Sequence, residues 1–144
     1  MLFRSPKSGW VEHDASEIWR NTHNVIEKAL LNSGLKVSDL AAIGITNQRE
    51  TVVAWDRANG EPLANAIVWQ DTRTADYLNN FNDADKSTII SKTGTPIAPY
   101  FSASKMAWLL ANGVQPSPML AFGTIDAWLI FKLTGEFVTD VTNA

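Results

Sequence analysis

The chain has 144 residues, of which 45% are hydrophobic and 19% are charged, and its formal net charge is −3. These values are typical of one globular domain and exclude a disordered or fibrous protein. The balance of 12 basic and 15 acidic residues argues against nucleic-acid binding by counterion release, and the absence of cysteine excludes disulfides and cysteine-bound zinc. No apolar stretch approaches the ~20 residues of a membrane span, and the N-terminus lacks the apolar run of a signal peptide, so we expect a cytoplasmic protein.

The first third of the chain predicts an extended entry, a long helix and a buried strand. Asp14 is expected to cap the helix, because Glu17 follows at capping-box spacing, and Gly34 is expected to end it. Residues 41–47 are apolar without alternation, which predicts a strand buried on both faces. The apolar stripe of the helix comprises Ile18, Trp19, Thr22, Val25, Ile26, Ala29 and Leu30.

The rest of the chain predicts two further strands and four shorter helices. The strands are expected at 51–56 and 66–69, with a hairpin turn at 59–60 after the first. Residues 95–101 contain two prolines and predict a loop, and residues 136–141 predict a strand or an extended exit. The helices are expected at 72–80, 84–92, 104–112 and 124–133. This mixture of helices and strands indicates the α/β class.

Several other residues carry structural expectations. The prolines of segment 116–118 predict a loop or the start of a new helix. His13 and His23 show no metal-ligand spacing and are expected on the surface. Asp71 is expected to cap the helix that follows it, and Arg73 is expected to be structural. The chain contains no Walker A loop, no nucleophile elbow and no dinucleotide fingerprint.

Two charged residues follow the predicted strand at 41–47. Ligands of open α/β sheets bind beyond the carboxyl ends of the strands, which is where Arg49 and Glu50 lie. Together they offer donors and an acceptor to a hydroxylated ligand. The same pair is also typical of a solvent-exposed ion pair, which would contribute at most ~1 kcal/mol.

Two aromatic residues are further candidates for a ligand site. Trp69 ends an apolar segment and leads into polar residues, so its indole could pack on the carbon atoms of a polyol or belong to the core. Tyr100 lies in the proline-bearing loop, where its hydroxyl could bind a ligand or its ring could cover the core together with Phe101. The residues alone therefore predict an α/β piece with a possible polar ligand site.

Seven segments carry a resemblance to a known family. The runs 42–51 (AIGITNQRET) and 66–74 (AIVWQDTRT) closely resemble the glycerol kinase family of the carbohydrate kinase superfamily. Other members of the superfamily, such as xylulose kinases, carry a different tetrapeptide at the position of residues 47–50 (NQRE) of this chain. A small departure from the family is Ala111, where a polar residue is usual. The remaining matching segments are 9–14, 93–97, 99–102, 122–130 and 139–144.

The resemblance implies an actin/hexokinase-like (ribonuclease H-like) α/β domain that is truncated at both ends. Residues 1–144 would form a partial N-terminal glycerol-binding domain. By this likeness Arg49, Glu50 and Tyr100 hydrogen-bond the glycerol hydroxyls and Trp69 packs on its carbon chain. The family enzyme transfers the γ-phosphoryl group of MgATP to glycerol, and the complete enzyme is expected to be a homo-oligomer.

The resemblance also implies what this chain lacks. The family's phosphate-binding hairpin is expected upstream of Met1, and its catalytic base and nucleotide-binding domain are expected beyond Ala144. No catalytic or metal-binding residue is therefore expected in this chain, and ATP and Mg²⁺ would be bound mainly by other parts of the enzyme. The chain alone is expected to be inactive and prone to associate. Two alternatives stay open: a kinase for another short polyol, and a non-catalytic polyol-binding or assembly module.

Overall fold

Five α-helices and five short strands lie along residues 3–143, the part of the chain that this computed structural model describes. The strands are β1 (Glu12–His13), β2 (Val53–Asp56), β3 (Glu61–Pro62), β4 (Ala66–Ile67) and β5 (Leu120–Gly123). The α-helices are α1 (Ala15–Ser33), α2 (Ala75–Asn79), α3 (Asp83–Thr93), α4 (Ser102–Ala111) and α5 (Ile125–Thr134), and a 3₁₀ turn spans Val37–Asp39. No helix within residues 3–143 is both long and apolar enough to cross a membrane.

The strands form two small antiparallel sheets that meet at β2 and β4. One sheet has the order β3-β2-β5, with Trp55 opposite both Pro62 and Ala121. The other pairs β1 with β4. An isolated bridge between Val52 and Ile67, with reciprocal backbone hydrogen bonds of 2.9 and 3.0 Å, connects the two sheets. The sheets therefore hold the ends of β2 and β4 side by side.

The core lies on both sides of β2, because successive side chains of a strand point to opposite faces. Val53 and Trp55 pack into one buried cluster with Trp128 of α5, and Val52 and Ala54 pack into a second cluster with residues of α4. Val52, which directly precedes β2, and the three strand residues are almost completely buried. The strand that is buried on both faces is thus β2.

The run at 41–47, predicted to be that strand, is not a strand. The structure assigns it no regular element, and the side chain of Ile43 is 55% exposed. An apolar run becomes a strand only when a neighbouring backbone pairs with it. No described residue pairs with this segment, so its apolar composition alone does not make it a strand.

The predicted helices are confirmed with shifts of a few residues at their ends. Asp14 caps α1 by accepting a hydrogen bond from the Glu17 amide at 3.1 Å, and Gly34 ends the helix with a left-handed φ of 70°. The apolar stripe of α1 is buried only in its first turn, where Ala15 and Ile18 lie. Leu31 near the other end is 81% exposed.

The predicted hairpin is also confirmed. Residues 57–60 connect β2 to β3, and the Asn59 side chain accepts a hydrogen bond from the Glu61 amide at 2.9 Å. Gly60 adopts a left-handed φ of 71°, which a glycine does without strain.

Segment 116–118 is a loop, one of its two predicted forms, and segment 136–141 contains no strand, which leaves the predicted extended exit. The strand predicted at 66–69 is shorter and spans 66–67. The sequence did not predict β5, because four apolar residues just before an apolar helix have no period of their own.

The two histidines differ in their environment. His23 is exposed on α1, as predicted. His13 is completely buried, against expectation, with its ring 4.6 Å from that of Phe3. It lies in β1 opposite Ala66, and this pairing carries it into the interior. Strand pairing of this kind depends on residues distant in the chain.

Candidate functional site

Three segments come together at the start of α4 and carry the four predicted site residues. Arg49 and Glu50 lie in the turn before Thr51, Trp69 follows β4, and Tyr100 immediately precedes the N-cap of α4. The bridge between Val52 and Ile67 places two of these segments side by side. Segment 49–50 ends two positions before Val52, and Trp69 lies two positions after Ile67, the last residue of β4.

Glu50 is held in an unusual backbone conformation. Its φ of 64° is the one positive value at a non-glycine position among the described residues. Its Oε2 atom accepts hydrogen bonds from the Ser102 amide at 2.7 Å and the Ser102 hydroxyl at 2.6 Å. Phe101, the N-cap of α4, cannot cap the helix with its side chain. The Glu50 carboxylate supplies that cap, and its negative charge is favourable at a helix N-terminus.

Glu50 also has an unoccupied acceptor. Its Oε1 atom makes no hydrogen bond to residues 3–143 of the structure, and its side chain is half-buried. One carboxylate oxygen therefore serves the fold while the other is available to a hydroxyl group.

Lys105 lies beneath this turn. It is completely buried, and its ammonium group donates hydrogen bonds to the backbone carbonyls of Glu50, at 2.7 Å, and of Tyr100. Burial lowers the pKa of Lys105 from 10.5 to about 8, and the nearby carboxylates of Glu50 and Asp71 oppose that shift. Lys105 was not predicted from the sequence as a site residue.

Trp69 and Tyr100 form an exposed aromatic corner. Their rings are 6.0 Å apart at an angle of 66°, and the two residues are 38% and 40% exposed. The backbone amide of Trp69 donates to the hydroxyl of the buried Thr51 at 3.3 Å. Trp69 is consequently not a core tryptophan, and both rings present area to solvent.

Arg49 is exposed and forms no hydrogen bond or ion pair with another residue in the described part of the chain. The exposed ion pair with Glu50, the alternative interpretation, is thus not formed. The guanidinium group of Arg49 is free to bind a ligand beside the Glu50 carboxylate.

A buried ionic cluster supports the neighbouring segment. Arg73 makes two hydrogen bonds to the Asp71 carboxylate, at 2.9 and 2.7 Å, and one to Glu12 at 2.8 Å. Its guanidinium lies 3.8 Å from the ring centre of Trp10 and 4.7 Å from that of Trp108. This confirms the structural role expected of Arg73.

The expected role of Asp71 as a helix cap is wrong. The N-cap position of α2 belongs to Thr74, and the Asp71 carboxylate instead accepts from the Val11 amide at 2.6 Å as well as from Arg73. The Asp71 carboxylate binds Arg73 in preference to the helix terminus, because a buried arginine offers it two charged hydrogen-bond donors at once.

An apolar cavity of about 270 Å³ lies near the site but outside it. It lies between α2, α3, the loop before α4 and α4 itself, and Arg49, Glu50, Trp69 and Tyr100 do not line it. Within residues 3–143, no group of three or more histidine, aspartate or glutamate side chains could hold a metal ion. Glu50, Trp69 and Tyr100 therefore lie in connected segments that present one carboxylate oxygen and two aromatic faces, and the exposed Arg49 adds a cation next to Glu50 in the chain.

The family follows from the sequence of the whole chain. A sequence profile described as the FGGY family of carbohydrate kinases, N-terminal domain, matches residues 2–144. The chain belongs to the FGGY family of carbohydrate kinases.

Relatives of this FGGY domain share about half of its residues. It is 53% identical to a glycerol kinase of Deinococcus radiodurans and 54% identical to one of Methylorubrum extorquens, over 96% of this chain and 29% and 30% of theirs. A crystal structure of Plasmodium falciparum glycerol kinase with ADP matches with a TM-score of 0.86 and 40% identity, over 99% of this chain and 30% of that one. The FGGY domain thus spans about 30% of the length of these relatives.

The structural match confirms the predicted fold class, an α/β domain of the actin/hexokinase-like type. Ser102 and Lys105, which hold the site segments of this FGGY domain, were missed because neither lies in a polar motif. A signal was present in retrospect, since Lys105 interrupts the apolar side of a short helix. That position is uncommon for lysine unless the lysine has partners.

Proposed function

We propose that this FGGY domain is the glycerol-binding part of a kinase that transfers the γ-phosphoryl group of ATP to glycerol, giving sn-glycerol 3-phosphate. The observation that carries the proposal is the open site, in which a free carboxylate oxygen of Glu50 lies in the same cluster of segments as the exposed rings of Trp69 and Tyr100. The naming of relatives at 53% and 54% identity as glycerol kinases supports it.

Each side chain has a separate task in this proposal. The Glu50 Oε1 atom accepts a hydrogen bond from a glycerol hydroxyl, and Arg49 donates to a glycerol oxygen. The Tyr100 hydroxyl makes a further hydrogen bond. The Trp69 indole packs on the carbon chain, since an exposed indole presents apolar area next to polar groups. A three-carbon polyol matches this small set of groups.

The contribution of these residues to catalysis is positioning. Phosphoryl transfer depends on holding the acceptor hydroxyl in line with the phosphate and on stabilising the charge that develops there. Arg49, Glu50, Trp69 and Tyr100 would orient the acceptor. The ligands of ATP and Mg²⁺ would come mainly from other parts of the complete protein.

The proposal includes the context of the complete protein. We propose that residues 1–144 belong to its N-terminal glycerol-binding domain, that it uses ATP with Mg²⁺, and that it works in the cytoplasm as a homo-oligomer. Kinases for other short polyols would use similar contacts, so the choice of acceptor requires a direct test.

The test is a coupled ADP-release assay on the complete protein that contains these residues. Glycerol, longer polyols and ketoses are offered separately with MgATP. We expect the highest kcat/KM with glycerol. Faster turnover of a ketose would overturn the choice of acceptor, and no ADP release with any acceptor would overturn kinase activity altogether.

A further inference from the structure

Lys105 is a completely buried cation that the proposed function does not use. Its two hydrogen-bond partners are the backbone carbonyls of Glu50 and Tyr100, which are 50 positions apart in the chain. Both of these residues contribute side chains to the proposed glycerol site. One buried ammonium group therefore connects the segment that carries Glu50 to the segment that carries Tyr100.

We propose that Lys105 is a positioning residue of the glycerol site, which sets the separation and orientation of Glu50 and Tyr100 through their backbone carbonyls. The inference rests on the proposed function, because it concerns the residues assigned there to glycerol. Lys105 itself does not touch the substrate.

The backbone of Glu50 requires such a partner. A positive φ is unfavourable for a residue with a side chain and persists only when the surroundings impose it. The first turn of α4 supplies these surroundings: Ser102 holds the carboxylate of Glu50, and Lys105, three residues later, holds its carbonyl. Glu50 is thus fixed at both ends by the same helix.

The burial of the ammonium group favours a specific role over simple filling of the core. A buried charge is unfavourable unless hydrogen-bond partners compensate for its lost hydration. An apolar side chain of similar length would fill the same volume without that loss. The lysine is compensated here by two carbonyls, and both of them belong to site segments.

The decisive variant is Lys105→Met, which retains the length of the side chain and removes the charge and the donors. In the complete protein we expect the KM for glycerol to rise about 10- to 100-fold, because two backbone carbonyls lose their donor and the site residues move apart. The KM for ATP should change less than about two-fold, since the proposal assigns no nucleotide contact to these segments.

The matched control is Lys132→Met. Lys132 is half-buried, and its ammonium group also donates to a backbone carbonyl, that of Gly60 at 3.2 Å. This contact lies at the β2–β3 hairpin, away from the site segments. We expect both KM values of this variant to stay at wild-type levels. A glycerol KM that rises equally in both variants would mean that the effect is a general loss of packing, and the proposal would be wrong.

A second measurement separates this inference from the proposed function. Hydrogen exchange of the complete protein should accelerate in segments 48–51 and 98–103 together in Lys105→Met, whether or not the protein turns over glycerol. Suppose that the wild-type protein does not phosphorylate glycerol but hydrogen exchange accelerates in both segments of Lys105→Met. Lys105 then does connect the two segments, and only the proposed function is wrong. Unchanged exchange in both segments, or accelerated exchange with an unchanged glycerol KM, overturns the positioning role.

A further variant covers the case in which Lys105→Met does not fold. Lys105→Arg keeps a cation and its donors but has a larger head group, which must push the two carbonyls apart. We expect it to fold and to raise the glycerol KM several-fold with the ATP KM unchanged. A wild-type glycerol KM in Lys105→Arg would then contradict the proposal.

Discussion

At the scale of single residues, Glu50 serves both the fold and the proposed site. Its Oε2 atom caps α4 through Ser102, while its Oε1 atom is unengaged by the described residues. Replacing Glu50 therefore changes stability and binding together, and it cannot by itself separate the two roles. Its neighbour Arg49 is exposed and forms no hydrogen bond or ion pair in the described structure, so replacing Arg49 tests binding with little effect on stability.

We predict that Arg49→Ala in the complete protein lowers kcat/KM for glycerol about 10- to 100-fold, because a ligand oxygen loses a charged donor. The melting temperature should stay within about 1 °C of wild type, since an exposed side chain without contacts contributes little to stability. Kinetics and a thermal melt on the same preparation test this. Arg20→Ala, which removes an exposed arginine of α1, is the control and should alter neither value. Wild-type kinetics in Arg49→Ala would remove this residue from the site.

The lowered pKa of Lys105 predicts a pH dependence of stability. Its pKa is about 8 in the folded chain and ordinarily 10.5, so between these values the unfolded chain binds the proton that the folded chain has released. Stability therefore rises with pH across this window, by up to about 3 kcal/mol.

Urea unfolding of wild type and Lys105→Met from pH 7.5 to pH 10.5 measures this contribution. The free energy of unfolding of wild type minus that of the variant should increase with pH above about pH 8. A difference that stays flat or falls with pH would show that the folded chain does not disfavour the charged lysine.

At the scale of elements, the closest approach in the core lies where β5 meets β2 and α5. A Cβ atom added at Gly123 would come within 2.9 Å of the Trp55 ring and within 2.9 Å of the Ala127 Cβ. Both neighbours are buried, so neither side chain can move aside without disturbing the core.

We predict that Gly123→Ala lowers the free energy of unfolding by roughly 1–3 kcal/mol, the usual effect of overpacking a core. The control is Gly44→Ala, where an added Cβ meets nothing within 4 Å. Chemical denaturation of both variants checks the prediction. Equal stability of the two variants would mean that β5 can shift away from Trp55 at little cost.

The elements also show which parts of the fold the sequence could predict. Helix ends depend on neighbours three or four positions away, so Asp14 and Gly34 were sufficient to place both ends of α1. Strands depend on distant partners. The apolar run at 41–47 has none in the described structure, while β5 pairs with β2 from a distance of about 70 positions and was missed.

The same distinction applies to the candidate site. Arg49, Glu50, Trp69 and Tyr100 were predicted from polar and aromatic residues in recognisable local motifs, and their role in binding stays a prediction. Lys105 and the cap that Glu50 gives to Ser102 arise only when segments 50 positions apart meet. Local sequence marks Lys105 only as a lysine on the apolar side of a helix and does not identify its partners.

At the scale of the whole molecule, large apolar side chains remain on the surface of the described chain. Ile43 of the unpaired segment and Leu31 and Val25 of α1 are all more than half exposed. Exposed apolar groups of this size, next to an unpaired extended backbone, favour association.

We predict that the isolated 144-residue chain associates in solution, with Ile43→Lys and Leu31→Lys each reducing that association because a charge disfavours burial. Size-exclusion chromatography with light scattering at several concentrations measures it. Leu133→Lys, which changes a less exposed leucine of α5, is the control and should have a smaller effect. A wild-type chain that is monomeric at all concentrations would show that these exposed apolar side chains do not drive association.

The unequal exposure of the six tryptophans gives the molecule a natural optical reporter. Trp55 and Trp128 are buried, Trp10, Trp19 and Trp108 are half-buried, and Trp69 is the most exposed of the six. An aqueous quencher such as iodide or acrylamide should therefore reach the Trp69 indole first and remove the long-wavelength edge of the emission. A glycerol molecule resting on that indole would shield it, so occupancy of the site becomes visible as lost quenching, without any label and without turnover.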